Sequence, residues 1–89
     1  MEAKEAVQAA KNYVADLFAD EILVDLGLEE IEMGQDGCWR ITVGFSRAWD
    51  RSVHSVLSGN GSRSYKVLRI SDSDGRVLSV RDRILAGSL

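Results

Sequence analysis

The chain has no proline, one cysteine and one histidine. A lone Cys38 cannot close an internal disulfide, nor build a Cys-x-x-Cys redox or zinc site. Its expected role is that of a small apolar filler on the strand face opposite Trp39. Long apolar runs are missing too. The longest, such as Ile22-Leu23-Val24, are three residues, so no segment can cross a membrane as a helix. The acidic start Met1-Glu2-Ala3-Lys4-Glu5 lacks the basic-then-apolar order of a secretory signal. A cytoplasmic setting with reduced Cys38 is therefore expected.

What is present is a globular composition. The 89 residues are 45% apolar and 28% charged, which excludes a collagen-like chain and argues against disorder. This length makes one small domain over residues 1–89, burying roughly two-thirds of its unfolded surface. The formal net charge of -3 hides an asymmetry. Residues 1–36 carry ten acids and two lysines, whereas residues 37–89 carry nine bases and four acids. The plainer reading is internal pairing of an acidic first half with basic strands. The sharper one is a basic face for an acidic partner.

Ala3, Ala6, Val7, Ala10, Tyr13, Val14, Leu17 and Phe18 recur at spacings of three and four, predicting an amphipathic helix over 3–20. Residues 28–34 read as a first strand, and Gln35-Asp36-Gly37 as a hairpin turn. Residues 38–45 form the clearest strand, with Trp39, Ile41, Val43 and Phe45 alternating against Cys38, Arg40, Thr42 and Gly44. Strands over 63–71 and 76–84 flank the turn Asp72-Ser73-Asp74-Gly75. Residues 46–62 have no sustained period and are rich in Ser and Gly, which reads as a long loop. A helix followed by a run of strands predicts an α+β fold, one N-terminal helix packed across a four-stranded antiparallel meander.

Tyr65-Lys66-Val67-Leu68-Arg69-Ile70-Ser71-Asp72-Ser73-Asp74-Gly75-Arg76-Val77-Leu78 resembles the terminal hairpin of PepSY-type domains. Gly37-Cys38-Trp39-Arg40-Ile41-Thr42-Val43 is similar to an earlier strand of that family. The helix-then-strands order resembles, more broadly, the cystatin-like arrangement of a helix gripped by a curved sheet. The resemblance covers about half of the chain. It implies a non-catalytic module associated with peptidase inhibition or protein binding, and it supplies no catalytic residues. In cystatin-like inhibitors an inhibitory hairpin loop joins consecutive strands at one end of the sheet. Loop 46–62 takes a comparable place here, without the family's Gln-x-Val-x-Gly.

Several constellations invite chemistry. His54 stands near Asp50, Ser52, Ser55 and Ser58, but a Ser-rich loop offers neither the rigid frame nor the oxyanion hole of a hydrolase triad. Asp72-Ser73-Asp74-Gly75 starts like a calcium loop, yet the twelfth position from Asp72 is Arg83, a cation. Gly59-Asn60-Gly61 lacks the Gly-Lys-Ser/Thr of a phosphate loop. No catalytic residue, metal or cofactor is therefore expected.

Two binding readings remain. In the preferred one the chain is a non-catalytic protein-binding module, an inhibitor of or accessory to a larger, peptidase-like enzyme. It meets its partner through loop 46–62, with Trp49, Arg47, Arg51, Val56 and Leu57 as contacts. The alternative is a nucleic-acid surface made of Arg63, Tyr65, Lys66, Arg69, Arg81 and Arg83 on adjacent strands. Tyr65 and Val67 in one register, with Leu68 and Ile70 in the other, put apolar residues on both faces of that strand. A homodimer through the open sheet face is the further expectation.

Overall fold

The computed structural model describes residues 1–47 and 63–83. Its elements run α1 (Ala3–Leu17), β1 (Leu23–Met33), β2 (Cys38–Arg47), β3 (Ser64–Ser71) and β4 (Val77–Asp82). The strands form one antiparallel sheet in the order β1-β2-β3-β4, with α1 packed on one face. This is the α+β meander expected from the residue pattern.

α1 begins where the Glu2 amide donates to Glu5 Oε1 at 2.9 Å, which satisfies a donor that a helix start leaves unpaired. Its buried stripe is Ala6, Ala10 and Val14, each 0% exposed. Spacing of four residues puts all three on one side. Ala6 and Ala10 keep the helix close to the sheet, and Ile41, Val43, Phe45, Leu68 and Ile70 complete the core from β2 and β3. The helix stops at Leu17, three residues before the expected end. Phe18 leaves the helical conformation (φ -111°, ψ 36°), and its ring lies 5.5 Å from that of Phe45. The chain then turns through Glu21, whose amide donates to the Phe18 carbonyl at 2.9 Å.

β1 is longer than the expected 28–34. It starts at Leu23 and carries two irregularities, between Val24 and Gly27 and between Leu28 and Glu30. Asp25 at φ 55° marks the first. Each bulge inserts an extra residue and bends the strand. With them, Leu23, Leu26 and Ile31 all pack against the core, although their spacing does not fit a straight strand. β2 is correspondingly longer than 38–45: Ser46 and Arg47 pair with Val24 and Leu23. The expected loop 46–62 thus loses its first two residues to the sheet. The remaining loop residues, 48–62, lie outside the described residues. β3 and β4 are shorter than 63–71 and 76–84 by a residue or two at their ends, and residue 84 is outside the described part.

Both tight turns fall where expected. Gly37 (φ 76°) and Gly75 (φ 71°) take the left-handed conformation that side chains disfavour. The turns touch, because the Asp72 amide donates to the Gly37 carbonyl at 3.1 Å. Asp72 is a tertiary node. Its Oδ1 accepts from Trp39 Nε1 at 2.9 Å and from the Met1 amino group at 3.2 Å.

Four aspartates sit below the ordinary carboxylate range. Asp72 is lowered mainly by the Trp39 indole, then by the Met1 ammonium. Asp36 is lowered by the Cys38 amide, and less by Arg69. Asp74 is lowered by the Arg76 amide, and Asp82 by Lys66. A carboxylate with a depressed folded-state pKa contributes its stability fully above its unfolded pKa and loses it as pH falls through the folded value. The contribution of these four is therefore flat above about pH 5 and declines below about pH 4. Urea midpoints measured from pH 7 to pH 2 should show this acid decline, and it should be shallower in Asp72→Asn. An Asp72→Asn profile parallel to that of the parent would show that the Trp39–Asp72 bond does not depend on the charge.

Candidate interaction face

β2 alternates its side chains across the sheet. Trp39, Ile41, Val43, Phe45 and Arg47 turn toward α1. Cys38, Arg40, Thr42, Gly44 and Ser46 turn toward the other, open face, which no described helix covers, although Cys38, Thr42 and Ser46 are themselves buried there. The register then fixes three rows on the open face. Glu32, Arg40, Arg69 and Ser79 form the first, and Glu30, Thr42, Val67 and Arg81 the second. Gly27, Gly44 and Tyr65 form the third, which Arg83 extends by donating its amide to the Tyr65 carbonyl at 3.1 Å. Charge is graded across this face, acidic at the β1 edge and basic at the β4 edge.

Most charges near β1 and β2 are neutralised by partners distant in sequence. Arg63 donates to Glu29 Oε1 at 2.9 Å. This pair lies across Gly44, where an added Cβ would come within 2.6 Å of Glu29 Oε1. Arg69 donates to Asp36 Oδ2 at 3.1 Å, and Arg40 lies 3.7 Å from Glu32. Arg40 and Arg69 are directly opposite each other, a like-charge pair that costs stability. The two acids offset that cost from outside. Internal complementarity, the plainer reading of the charge asymmetry, thus accounts for much of the basic half.

Arg81 forms no ion pair among the described residues. It lines a cleft of about 370 Å³ with Asp36, Arg40, Val67, Arg69 and Ser79. The Ser79 hydroxyl is shielded from solvent and makes no hydrogen bond, although buried polar groups are nearly always paired. The floor is apolar at Val67, flanked by arginines whose carbon stems can cover it. Arg69 and Arg40 already face Asp36 and Glu32, so Arg81 is the guanidinium of this cleft left to meet a carboxylate or another anionic group.

The residues expected to bind separate into groups. Of the protein-contact set, only Arg47 lies among the described residues, and it is not a free contact. Its guanidinium donates to Glu21 Oε1 at 2.6 Å and to Ser64 Oγ at 3.0 Å. It also lies over the rings of Phe18 and Phe45. Arg47 is a structural tie because β2 extends to it. Trp49, Arg51, Val56 and Leu57 are outside the described residues, as are His54 and its neighbouring serines.

The nucleic-acid set does not form one surface. Lys66 is on the helix side, over the Phe18 ring and paired with Asp82. There it and Arg47 place cations near the end of α1, whose last turn has no base of its own. Arg63 is occupied by Glu29. Tyr65, Arg69, Arg81 and Arg83 do share the open face, with the Arg83 guanidinium 5.6 Å from the Tyr65 ring centroid. Residue types alone do not point to Arg40 or Ser79. The signal for Ser79 is its spacing: Ser79, Arg81 and Arg83 are two apart and so share a strand face.

Cys38 is buried, as expected of a filler. A second groove, of about 450 Å³ between α1 and β1, is lined by Ala3, Lys4, Val7, Gln8, Leu28 and Ile31. It brings together no carboxylate, histidine or hydroxyl. Among the described residues, no three His, Cys, Asp or Glu side chains form a group that could hold a metal ion. No helix among them is long and apolar enough to cross a membrane. Comparison with protein-family models, with curated proteins and with solved structures finds no match to this chain.

Proposed function

We propose that the chain is a non-catalytic protein-binding module whose contact surface is the arginine-bearing end of the open sheet face. The observation that carries this reading is Arg81. It forms no ion pair among the described residues and lies beside Arg40, an Arg69 already paired with Asp36, and an unpartnered Ser79 hydroxyl. A charge that the fold leaves unpaired is available to a partner, and arginine is a favoured interface residue. The helix-first, four-stranded order supports the PepSY- or cystatin-like reading. In that reading the partner is a larger enzyme that this module inhibits or accompanies, and the segment after β2, 48–62, adds contacts through Trp49.

The open face is mostly ionic and polar, with Val67 and Tyr65 its main apolar groups. This favours an acidic partner over a homodimer through the same face, because stable homodimer interfaces are more apolar. Affinity capture from the native lysate should return one stoichiometric protein, retained by the parent chain and lost in Arg81→Glu. A Trp49→Ala variant run beside it reports on the loop. Recovery of nucleic acid alone would move the function to the alternative reading. A partner indifferent to Arg81→Glu would remove the open face from the site.

A further inference from the structure

We infer that β4 accepts, as a fifth strand, an extended acidic segment of the partner protein in which acidic and apolar residues alternate. The inference rests on the protein-binding reading above and adds the form of the ligand.

The sheet has two edges, and they differ. At β1 the edge is broken by two bulges and by Asp25 in the left-handed region. It also carries Glu29, Glu30 and Glu32. Bulges and charges are the usual means of blocking strand addition. β4 carries one irregularity, between Val77 and Ser79, and its pairing with β3 is regular from Ser79 to Asp82; no strand lies beyond it among the described residues.

The direction of the free backbone groups follows from the ladder. In an antiparallel pair, residues alternate between those bonded to the neighbour and those facing away. The Arg83 amide donates to Tyr65 in β3. Stepping back by two, Arg81 and Ser79 also turn their backbone toward β3. Val80 and Asp82 therefore present their N–H and C=O groups outward, a template for another strand.

Charge and hydropathy then specify the sequence. Arg76, Arg81 and Arg83 form no ion pair among the described residues, and all belong to β4 or its ends. The nearby acid, Asp82, is held by Lys66. Arg81 and Arg83 stand on the open face, so alternate residues of an added strand would lie beside them and should be acidic. Those residues would also approach the Arg69–Ser79 cleft. On the helix side the neighbours are Val77 and Val80, which pack on the core, and Asp82, whose charge Lys66 holds, so the intervening residues beside the two valines should be apolar. A nucleic acid offers no backbone pairing to a strand edge, which favours a polypeptide. The stretch Glu30-Ile31-Glu32-Met33 of a second copy has the right alternation. Its Glu32 is already engaged with Arg40, and head-to-tail addition of this kind does not close.

The test uses the full, isotope-labelled chain and a short synthetic peptide in which glutamate alternates with valine. Binding should slow hydrogen exchange at the Val80 and Asp82 amides selectively. Affinity should fall roughly tenfold or more in Arg81→Glu, because a like charge then faces the peptide. A backbone N-methylated peptide with the same side chains and charge should not bind. Equal binding of the N-methylated peptide would overturn the fifth strand and leave the arginine face as a docking site. Failure of both peptides, with native partner capture still lost in Arg81→Glu, would have the same meaning. Failure of both peptides with retention of a single-stranded oligonucleotide would overturn this inference and the protein-binding reading together. Concentration-dependent self-association abolished by Glu30→Lys would replace the partner segment with a second copy.

Discussion

Phe45→Ala is expected to destabilise the domain by about 3–5 kcal/mol, the range for removing a large buried aromatic. Phe45 is fully buried and is among the largest side chains in the core. Its ring meets Phe18, the residue that ends α1, at a tilt of 44°. The Arg47 guanidinium lies 5.3 Å from its centroid. Truncation therefore leaves a cavity and also frees the end of the helix from β2. Natural domains have a total stability of only about 5–15 kcal/mol, so this loss is a large fraction of it. Thermal melts should show Tm lowered by more than about 10 °C. Phe45→Leu, which keeps most of the volume, should cost clearly less. A Phe45→Ala shift of only a degree or two would mean that β2 does not carry the core.

Ala10→Leu should destabilise by about 1–3 kcal/mol, although leucine is nearly as good a helix former as alanine. Ala10 is fully buried between α1 and the sheet, and the added carbons have no space unless the helix lifts. Ala15→Leu, five residues further on at an exposed position, should stay within about 0.5 kcal/mol of the parent. The pair separates packing from helix propensity, since both changes alter propensity equally. If the two variants melt together, the helix does not sit close against the sheet.

Local signals were enough to read much of this fold. The spacing of apolar residues located α1, strict alternation located β2, and the Asp/Gly turns located both hairpins. β1 was the exception. Its apolar residues at 23, 26, 28 and 31 fit neither a strand nor a helix period, and only two bulges bring them to one side. That missing stretch also shortened β2, because Ser46 and Arg47 are strand residues only by pairing with Val24 and Leu23. Local signals consequently place Arg47 in the loop, whereas it ties the helix end to β2 and β3.

The candidate site was less legible. Glu29 and Arg63 are 34 residues apart, and Asp36 and Arg69 are 33 apart. No local pattern says that these pairs meet while Arg81 is left over. Residue types placed the arginines on adjacent strands, and period-two alternation separates Lys66 from Arg69 once the strand phase is known. The amino-acid sequence by itself determined the elements, their order and the α+β class, because these follow from spacings within a few residues. Only the tertiary structure decided the register, the bulges and which bases remain unpaired. Ion pairing, burial and edge exposure depend on neighbours that the fold brings together from distant parts of the chain.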